Sequence, residues 1–84
     1  MADKEMKELV EFVVRSIVNH PDQVHVAEVQ EATSTLLELT VAAPDMGRVI
    51  GKNGRVIGSI RALLQVLAAK QGRRAALELV EVED

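Results

Sequence analysis

Near the middle of the chain the sequence reads Val49-Ile50-Gly51-Lys52-Asn53-Gly54-Arg55-Val56-Ile57. Apolar residues recur at three- and four-residue steps before Gly51 and again after Gly54, and this spacing is typical of two helices. The glycines between them lack a Cβ atom, so the backbone can turn sharply there and another backbone can approach closely. The segment predicts a short helix, a tight loop and a second helix over residues 55–71, which Gly72 ends.

The loop between these helices concentrates positive charge. Many helices carry Asp or Glu in the first turn, where an acid complements the dipole and the free backbone N–H groups. The second helix begins with Arg55 instead, with Lys52 in the loop and Arg48 one turn earlier. Amides and cations without an internal anion are suited to an external one, and phosphate fits that chemistry. The residues predicted to contact it are Gly51, Lys52, Asn53 and Gly54, with Arg48 and Arg55 supplying electrostatic attraction.

The chain before this loop supplies one further helix and a hairpin. An amphipathic pattern over residues 4–19 predicts a helix. Extended and alternating runs predict two antiparallel strands over 24–30 and 35–41. The second strand ends at Ala42-Ala43-Pro44-Asp45, and Asp45 is placed to cap the short helix that follows.

The last predicted element is a strand over residues 75–82. Leu77 and Leu79 alternate as expected for one buried face, but Val80 and Val82 fall on the opposite face. Either a bulge shifts the register of this strand or both of its faces are covered.

The second helix carries two apolar stripes. The broad stripe is predicted to cover the sheet and consists of Val56, Ile57, Ile60, Leu63, Leu64 and Leu67. A second stripe lies roughly 150° away at 100° per residue, and its members are Gly58, Ala62, Val66 and Ala69. Small residues let two helices approach closely, so this outer stripe predicts a symmetric homodimer packed helix to helix. Alanine is also a good helix former on a plain surface, which leaves a solvated stripe as the alternative.

Composition limits the classes of protein that this chain can be. Eighty-four residues, 48% of them hydrophobic and 27% charged, fit one small globular domain spanning 1–84. Cysteine is absent, and no stretch reads as a membrane span or a signal peptide, so a soluble cytoplasmic domain is expected. Phe12 is the one aromatic residue, which excludes the aromatic platforms on which many RNA-binding proteins stack bases.

The net charge of −3 is unevenly distributed along the chain. The segment from Met46 to Leu77 has seven cations and no acid, whereas the remainder has three cations and thirteen acids. Local charge decides which ligand is attracted, so this segment is suited to a polyanion, although a solvated basic helix face gives the same pattern. Its cations are Arg48, Lys52, Arg55, Arg61, Lys70, Arg73 and Arg74.

The segment around the loop, read from Val49 to Ile57 with Ile60 one turn later, resembles the core signature of the KH domain. This RNA-binding fold uses a GXXG loop to clamp the backbone of about four nucleotides. The helix and two strands before the loop, with one strand after it, are similar to the type II order. The thirty residues after Gly54 are too few for the type I order. The resemblance implies a single α+β domain, helix-strand-strand-helix-GXXG-helix-strand, with a three-stranded sheet covered on one face by three helices.

Three segments narrow the resemblance to the KhpA family of small bacterial RNA-binding proteins. They are His20-Pro21-Asp22, Val41-Ala42-Ala43-Pro44-Asp45 and Gly47-Arg48-Val49-Ile50-Gly51-Lys52-Asn53-Gly54-Arg55. Gly58 departs from the family, in which that helix position more often carries alanine or lysine.

The resemblance to this family implies a cytoplasmic RNA chaperone or post-transcriptional regulator. Such a protein can homodimerise or pair with the larger KH-containing protein KhpB, and the complex is connected with cell elongation and envelope homeostasis. We expect single-stranded RNA to be bound with little base discrimination. Ile50 and Ile57 are expected to line an apolar groove beneath the bases.

No enzyme site is predicted. His20 and His25 lie five positions apart across a proline, without the helical spacing or the cysteines of a metal site, and no serine has a His–acid context. We expect no catalytic residue, metal, cofactor, membrane contact or small-molecule substrate. The alternative to RNA binding is a protein-interaction or scaffold module whose basic patch binds an acidic partner.

Overall fold

The fold is α+β, and the computed structural model describes residues 2–80. Its regular elements are α1 (Ala2–Ile17), β1 (His25–Gln30), β2 (Ser34–Thr40), α2 (Met46–Ile50), α3 (Arg55–Lys70) and β3 (Arg74–Leu79). Short 3₁₀ turns lie at Pro21–Gln23, Ala43–Asp45 and Lys52–Gly54. The predicted order of elements is confirmed, and their bounds differ from the predicted ones by a few residues.

The three strands form one mixed sheet in the order β1-β2-β3. β1 and β2 are antiparallel, as the predicted hairpin requires, with His25 opposite Thr40 and Gln30 opposite Thr35. β3 pairs in parallel with β2, with Ser34 opposite Arg74. Parallel neighbours need a long crossover connection, and α2, the loop and α3 provide it.

The core lies between one face of this sheet and the helices. Leu37 and Leu39 of β2 are fully buried, and so is Val41, which directly follows the strand. They alternate along the chain because successive side chains of a strand point to opposite faces. From α1, Met6 and Val10 enter the same core. α1 packs on β1 and α3 packs on β3, while α2 contacts both long helices. The three helices therefore place the loop between α2 and α3 at one end of the helical layer.

The inner face of α3 differs from its prediction at one position. Its fully or nearly fully buried residues are Ile57, Ile60, Leu64 and Ala68, and Val56 and Leu67 pack against them. Leu63 was expected in this stripe but is 50% exposed, so that assignment is wrong. At 100° per residue it points about 100° away from the centre of the buried stripe, whereas Ala68 continues that stripe one turn after Leu64.

The register of the last strand is regular over its described length. Each residue from Arg74 to Leu79 pairs in sequence with β2, and Ala75 and Leu77 are buried. The N–H of Val80 continues the ladder by donating to the carbonyl of Leu39 at 2.8 Å. No bulge therefore shifts the strand over these residues. Val82, which raised the question, lies outside the described residues.

Candidate nucleic-acid interface

The loop between α2 and α3 begins with a backbone conformation that only glycine adopts easily. Gly51 has φ 76° and ψ 173°, a region that is nearly restricted to glycine. A Cβ atom at this position would lie 2.4 Å from Cγ2 of Val56 and 2.8 Å from its backbone nitrogen. The loop therefore requires glycine here both for its backbone angles and for the close approach of the first turn of α3.

The remaining loop residues continue in the left-handed region. Asn53 has φ 57° and ψ 27°, and Gly54 has φ 73° and ψ 16°. Asparagine tolerates this conformation better than most residues with a side chain. Lys52 and Asn53 are exposed between the two glycines, at the position where a ligand would meet the loop. Since Gly54 has open space around its Cβ position, only its backbone angles favour glycine.

The first turn of α3 leaves its backbone amides without a side-chain cap. Gly54 precedes the helix and has no side chain to accept from it, and the first turn contains no acidic residue. A helix of sixteen residues has a full set of aligned peptide dipoles, so its N-terminus carries partial positive charge. The N–H groups of Gly54 and Arg55 donate within the 3₁₀ turn to the carbonyls of Gly51 and Lys52, so what the loop offers is a positive dipole end without a side-chain cap.

The cations of the basic segment fall into two groups in the structure. Arg48, Lys52 and Arg55 are exposed around the loop, Lys70 and Arg74 are exposed at the far end of α3, and none of these five side chains makes a hydrogen bond or ion pair within residues 2–80. Arg61 and Arg73, by contrast, donate to backbone carbonyls of their own chain. The charge counted from the sequence therefore overstates the charge available to a ligand.

Arg61 and Gln65 extend from α3 to the free edge of β3. Nε and Nη2 of Arg61 both donate to the carbonyl of Leu77, at 3.2 and 3.1 Å. Nε2 of Gln65 donates to the carbonyl of Ala75 at 2.5 Å. A carbonyl oxygen has two lone pairs, so the two bonds from Arg61 saturate that of Leu77. No local pattern in the sequence indicates this role for either residue, although Arg61 lies one helical turn after Ile57.

A groove of about 530 Å³ lies between α2, α3 and the edge of β3. Ile50 and Ile57 line it, as predicted, and Ile50 is 39% exposed there. Residues that the sequence did not assign to the groove are Leu36, Met46, Arg61 and the β3 residues Ala76, Leu77, Glu78 and Leu79. Local spacing does not indicate the β3 residues, because only the parallel pairing of β3 with β2 brings that strand beside the loop.

Asp45 does not cap α2, so that prediction is wrong. Its side chain makes no bond to the first turn of α2 and instead accepts from the connection after α1. Oδ1 accepts from the backbone N–H of Asn19 at 3.1 Å, and Oδ2 accepts from the N–H of His20 at 3.0 Å. Nδ1 of His20 lies 3.0 Å from the same Oδ2. Asp45 is only 1% exposed.

The hydrogen bonds to Asp45 outweigh the cost of burying its charge. Burial alone would raise the pKa of this carboxyl, but the backbone N–H of Asn19 and the side chain and N–H of His20 stabilise the carboxylate. Together they hold the pKa of Asp45 below its ordinary value. The buried group is therefore an ionised acceptor at neutral pH.

The outer stripe of α3 lies on the solvent side of the helical layer. Gly58, Ala62, Val66 and Ala69 are all exposed, and Val66 is 68% exposed. Leu63, which the structure releases from the core, lies beside this stripe. Two of the five exposed large apolar residues within residues 2–80 thus lie on the outer side of this one helix. Nothing within residues 2–80 covers that face.

Within the part of the chain that the structure describes, no helix is both long enough and apolar enough to span a bilayer.

Known proteins resemble this chain along most of its length. The family model described as "KhpA/KhpB, KH domain" matches residues 7–79. The RNA-binding protein KhpA of Chlamydia caviae is 41% identical over 76 residues, which cover 90% of this chain and 97% of that protein. Its namesake from Clostridium perfringens is 44% identical over 75 residues, or 89% of this chain and 100% of the relative. A third, from Borreliella burgdorferi, is 43% identical over 74 residues, with coverages of 88% and 90%.

Proposed function

The chain belongs to the KhpA/KhpB KH-domain family, and from this premise we propose that it binds single-stranded RNA through its GXXG loop. Its three helices and mixed three-stranded sheet agree with the type II form of the KH domain. Gly51, Lys52, Asn53 and Gly54 hold the sugar–phosphate backbone, and Arg48 and Arg55 attract it. Ile50 and Ile57 contact the bases from the groove.

One observation carries this proposal: exposed cations whose side chains have no partner within residues 2–80 surround the start of a helix that has no side-chain cap. The first turn of α3 has no cap and no acid, and the three cations around it are exposed and unpaired within residues 2–80. In a protein with a net charge of −3, such a site attracts an anion locally although the whole molecule does not. A phosphate backbone supplies that anion at a regular spacing.

The same site favours RNA binding with little base discrimination. The chain has no aromatic residue near the groove, so the ~1–3 kcal/mol per stacked base that aromatic platforms supply is missing. Reading of bases by the edge of β3 is also limited. The carbonyl of Leu77 already accepts two bonds from Arg61 and cannot accept a third from a base amino group.

The test is a double substitution in the loop, Lys52→Asp with Asn53→Asp. The glycines remain and both positions are exposed, so the free energy of unfolding should change by less than ~1 kcal/mol. Affinity for a short unstructured RNA, measured by fluorescence anisotropy, should fall at least about tenfold, because anions replace the clamp.

A matched control carries the same change of net charge away from the loop. Lys70→Asp with Ala32→Asp places it at the far end of α3 and in the β1–β2 turn, and RNA affinity should stay close to that of the wild type. A loop variant that folds and binds RNA as tightly as the wild type would show that the clamp assignment is wrong. Crosslinking to cellular RNA followed by sequencing tests the wider proposal. An empty result there would favour the scaffold alternative, in which the cations bind an acidic protein.

We further propose a homodimer that packs along the outer stripe of α3. Small residues at positions 58, 62 and 69 allow close helix approach, and Val66 with Leu63 supplies apolar surface that is otherwise left in water. Gly58, which destabilises a helix interior by ~1 kcal/mol relative to alanine, has a reason to be present if a partner helix lies against it. The same stripe would serve the KhpB partner, which makes homodimer and heterodimer mutually exclusive.

Ala62→Glu combined with Val66→Glu should give a folded monomer in sedimentation experiments, with RNA-loop contacts retained. Ala32→Glu, which adds a charge on the exposed β1–β2 turn, should leave the dimer intact. If the wild type already sediments as a monomer at about 100 µM, a concentration at which weak dimers form, this interface is wrong.

In the cell we propose that the protein acts in the cytoplasm as an RNA chaperone or post-transcriptional regulator, alone as a homodimer or with KhpB, with effects on cell shape and cell-wall biogenesis. Backbone binding with little base preference suits a chaperone, because it contacts many RNAs without selecting one sequence. Acceleration of annealing between two complementary RNAs measures this activity. The loop variant should lose the acceleration and the Lys70/Ala32 control should keep it.

A further inference from the structure

We infer that Asp45 is a positioning residue for the RNA-binding loop. By holding the backbone of Asn19 and His20, its carboxylate fixes the start of α2 and hence the orientation in which α2 presents Gly51–Gly54. This inference rests on the proposed RNA-binding function of the loop.

α2 has little else to hold it. It consists of five residues, and an isolated helix of that length is not stable in water. Val49 is its one buried side chain, and Met46 is half-buried. Ile50 faces the groove and Arg48 faces solvent. Because α2 is both short and weakly anchored, a contact made by the residue directly before it has a large share in deciding where its last residue lies.

The contact made by Asp45 is suited to that task. Its two oxygens accept from two consecutive backbone amides that lie 26 and 25 positions earlier in the chain. The same residue is also fixed through its own N–H, which donates to the carbonyl of Ala42 at 2.8 Å. Bonds to an ionised acceptor are stronger than bonds between neutral groups. The connection after α1 is thereby joined to Asp45, the residue directly before Met46 and six positions before Gly51.

The sheet does not depend on this contact. The inward residues of β2 pack with α1 in a core to which neither Asn19 nor His20 belongs. Loss of the carboxylate should therefore loosen the region around α2 and the loop while the sheet keeps its packing. A positioning role and a general stabilising role then predict different measurements.

The informative substitution is Asp45→Asn, which keeps the size and shape of the side chain. The amide has one acceptor oxygen instead of two, so its NH₂ group would face the N–H donor of either Asn19 or His20, and one of the two backbone bonds would be lost. RNA affinity should fall about three- to tenfold at a temperature where the variant is fully folded. Hydrogen exchange should become at least about tenfold faster at backbone amides of residues 46–56 and stay unchanged in β2.

Two further variants separate positioning from stability. Val26→Ala removes buried atoms from β1, far along the chain from α2, and lowers the melting temperature without touching the Asp45 contact. It should bind RNA like the wild type. His20→Ala removes the ring contact and keeps both backbone bonds, so it should show a smaller change in the same direction as Asp45→Asn. This variant also serves if Asp45→Asn fails to fold.

The inference is overturned if the Asp45 and His20 variants lose no more RNA affinity than Val26→Ala, or if exchange accelerates equally in β2 and in residues 46–56. If the wild type does not bind RNA at all, the proposed function fails. Hydrogen exchange in the three variants then still decides whether Asp45 positions the loop.

Discussion

The two ends of α3 look alike in the sequence and differ in the structure. Each end has a glycine with positive φ, Gly54 before the helix and Gly72 after it, and each end carries a group of cations. At the first turn the cations have no partner within the described residues. At the last turn, Arg73 donates to oxygen atoms of its own chain. Similar residues thus form a candidate binding site at one end of α3, whereas at the other end Arg73 connects the helix to the β1–β2 turn.

The contacts at the C-terminal end of α3 are made mainly to backbone carbonyls. The N–H groups of Gly72 and Arg73 donate to Ala69 and Ala68 at 3.0 and 2.8 Å, which ends the helix in a Schellman motif. The guanidinium of Arg73 then enters the β1–β2 turn. Nη2 donates to the carbonyls of Glu31 and Ser34 at 2.9 and 2.8 Å, and Nε lies 3.3 Å from the hydroxyl of Thr35.

What separates the two ends is the availability of donors, not the number of charges. After the last turn, the guanidinium of Arg73 donates to carbonyls of the β1–β2 turn and stabilises it, while the side chains of Lys70 and Arg74 make no bond within residues 2–80. At the first turn, donors meet solvent, and the result is a site that can accept phosphate.

The glycines of the two ends should respond unequally to alanine. Gly51→Ala forces a Cβ atom against the backbone of Val56 in a region of φ and ψ that alanine avoids, so it should lower the free energy of unfolding by about 3 kcal/mol or more. Gly72→Ala meets no atom within 4 Å and should cost ~1 kcal/mol through its positive φ alone. Urea denaturation monitored by circular dichroism measures both. Equal losses would mean that the loop is no more constrained than the helix end.

Removing a cation should affect stability at the C-terminal end of α3 and RNA binding at the loop end. Arg73→Ala removes the guanidinium donors to the carbonyls of Glu31 and Ser34 and to the buried hydroxyl of Thr35, so it should lower the free energy of unfolding by about 2 kcal/mol. Its RNA affinity should stay within about twofold of the wild type, because Arg73 lies outside the proposed clamp. Lys52→Ala should do the opposite, with a stability change below ~0.5 kcal/mol and weaker RNA binding. An Arg73 variant that is stable but does not bind would reverse the assignment.

How far the sequence predicted these features depends on the distance between the partners. The order of elements, the loop and the alternation of Leu37 and Leu39 follow from local spacing, and the structure confirms them. The uses of Arg73 and Asp45 could not be predicted. Arg73 bonds residues 38 to 42 positions earlier, and Asp45 bonds residues 25 and 26 positions earlier. An acidic residue directly before a helix is typical of an N-cap. Here the fold instead brings the backbone N–H groups of Asn19 and His20 to the carboxylate of Asp45.

The parallel position of β3 was equally hidden from the sequence. Alternation shows that a segment is a strand, but it does not show which strand lies next to it. The sequence therefore predicted only residues on the helical side of the groove, Ile50 and Ile57. Its other half comes from β3, whose edge is closed in part by Arg61.

Acid should weaken the loop end before the other end, because only the loop end rests on a buried carboxylate. The pKa of Asp45 is lowered in the folded protein, so its contribution to stability is present above the ordinary Asp pKa of ~3.9 and is lost as pH falls through the lower folded value. Between pH 6 and pH 3 the wild type should therefore lose more stability than Asp45→Asn. Arg73→Ala should follow the wild type in parallel, since its own contacts do not titrate there. A pH dependence in Asp45→Asn as steep as in the wild type would contradict the assignment.

The smallest effect, and the most specific, is the salt dependence of RNA binding. If the loop end neutralises about three phosphates, the log–log slope of affinity against salt should be near −2, since single strands release ~0.7 counterion per contact. Arg48→Ala or Arg55→Ala should each make the slope shallower by ~0.7. Lys70→Ala and Arg74→Ala should leave it unchanged, because sixteen residues of helix place them about 24 Å from the loop. This distance exceeds the Debye length of ~8 Å at physiological ionic strength, so their charges are largely screened from RNA at the loop. A shallower slope in the Lys70 or Arg74 variant would extend the bound RNA along the whole helix, and the two ends of α3 would then belong to one binding surface.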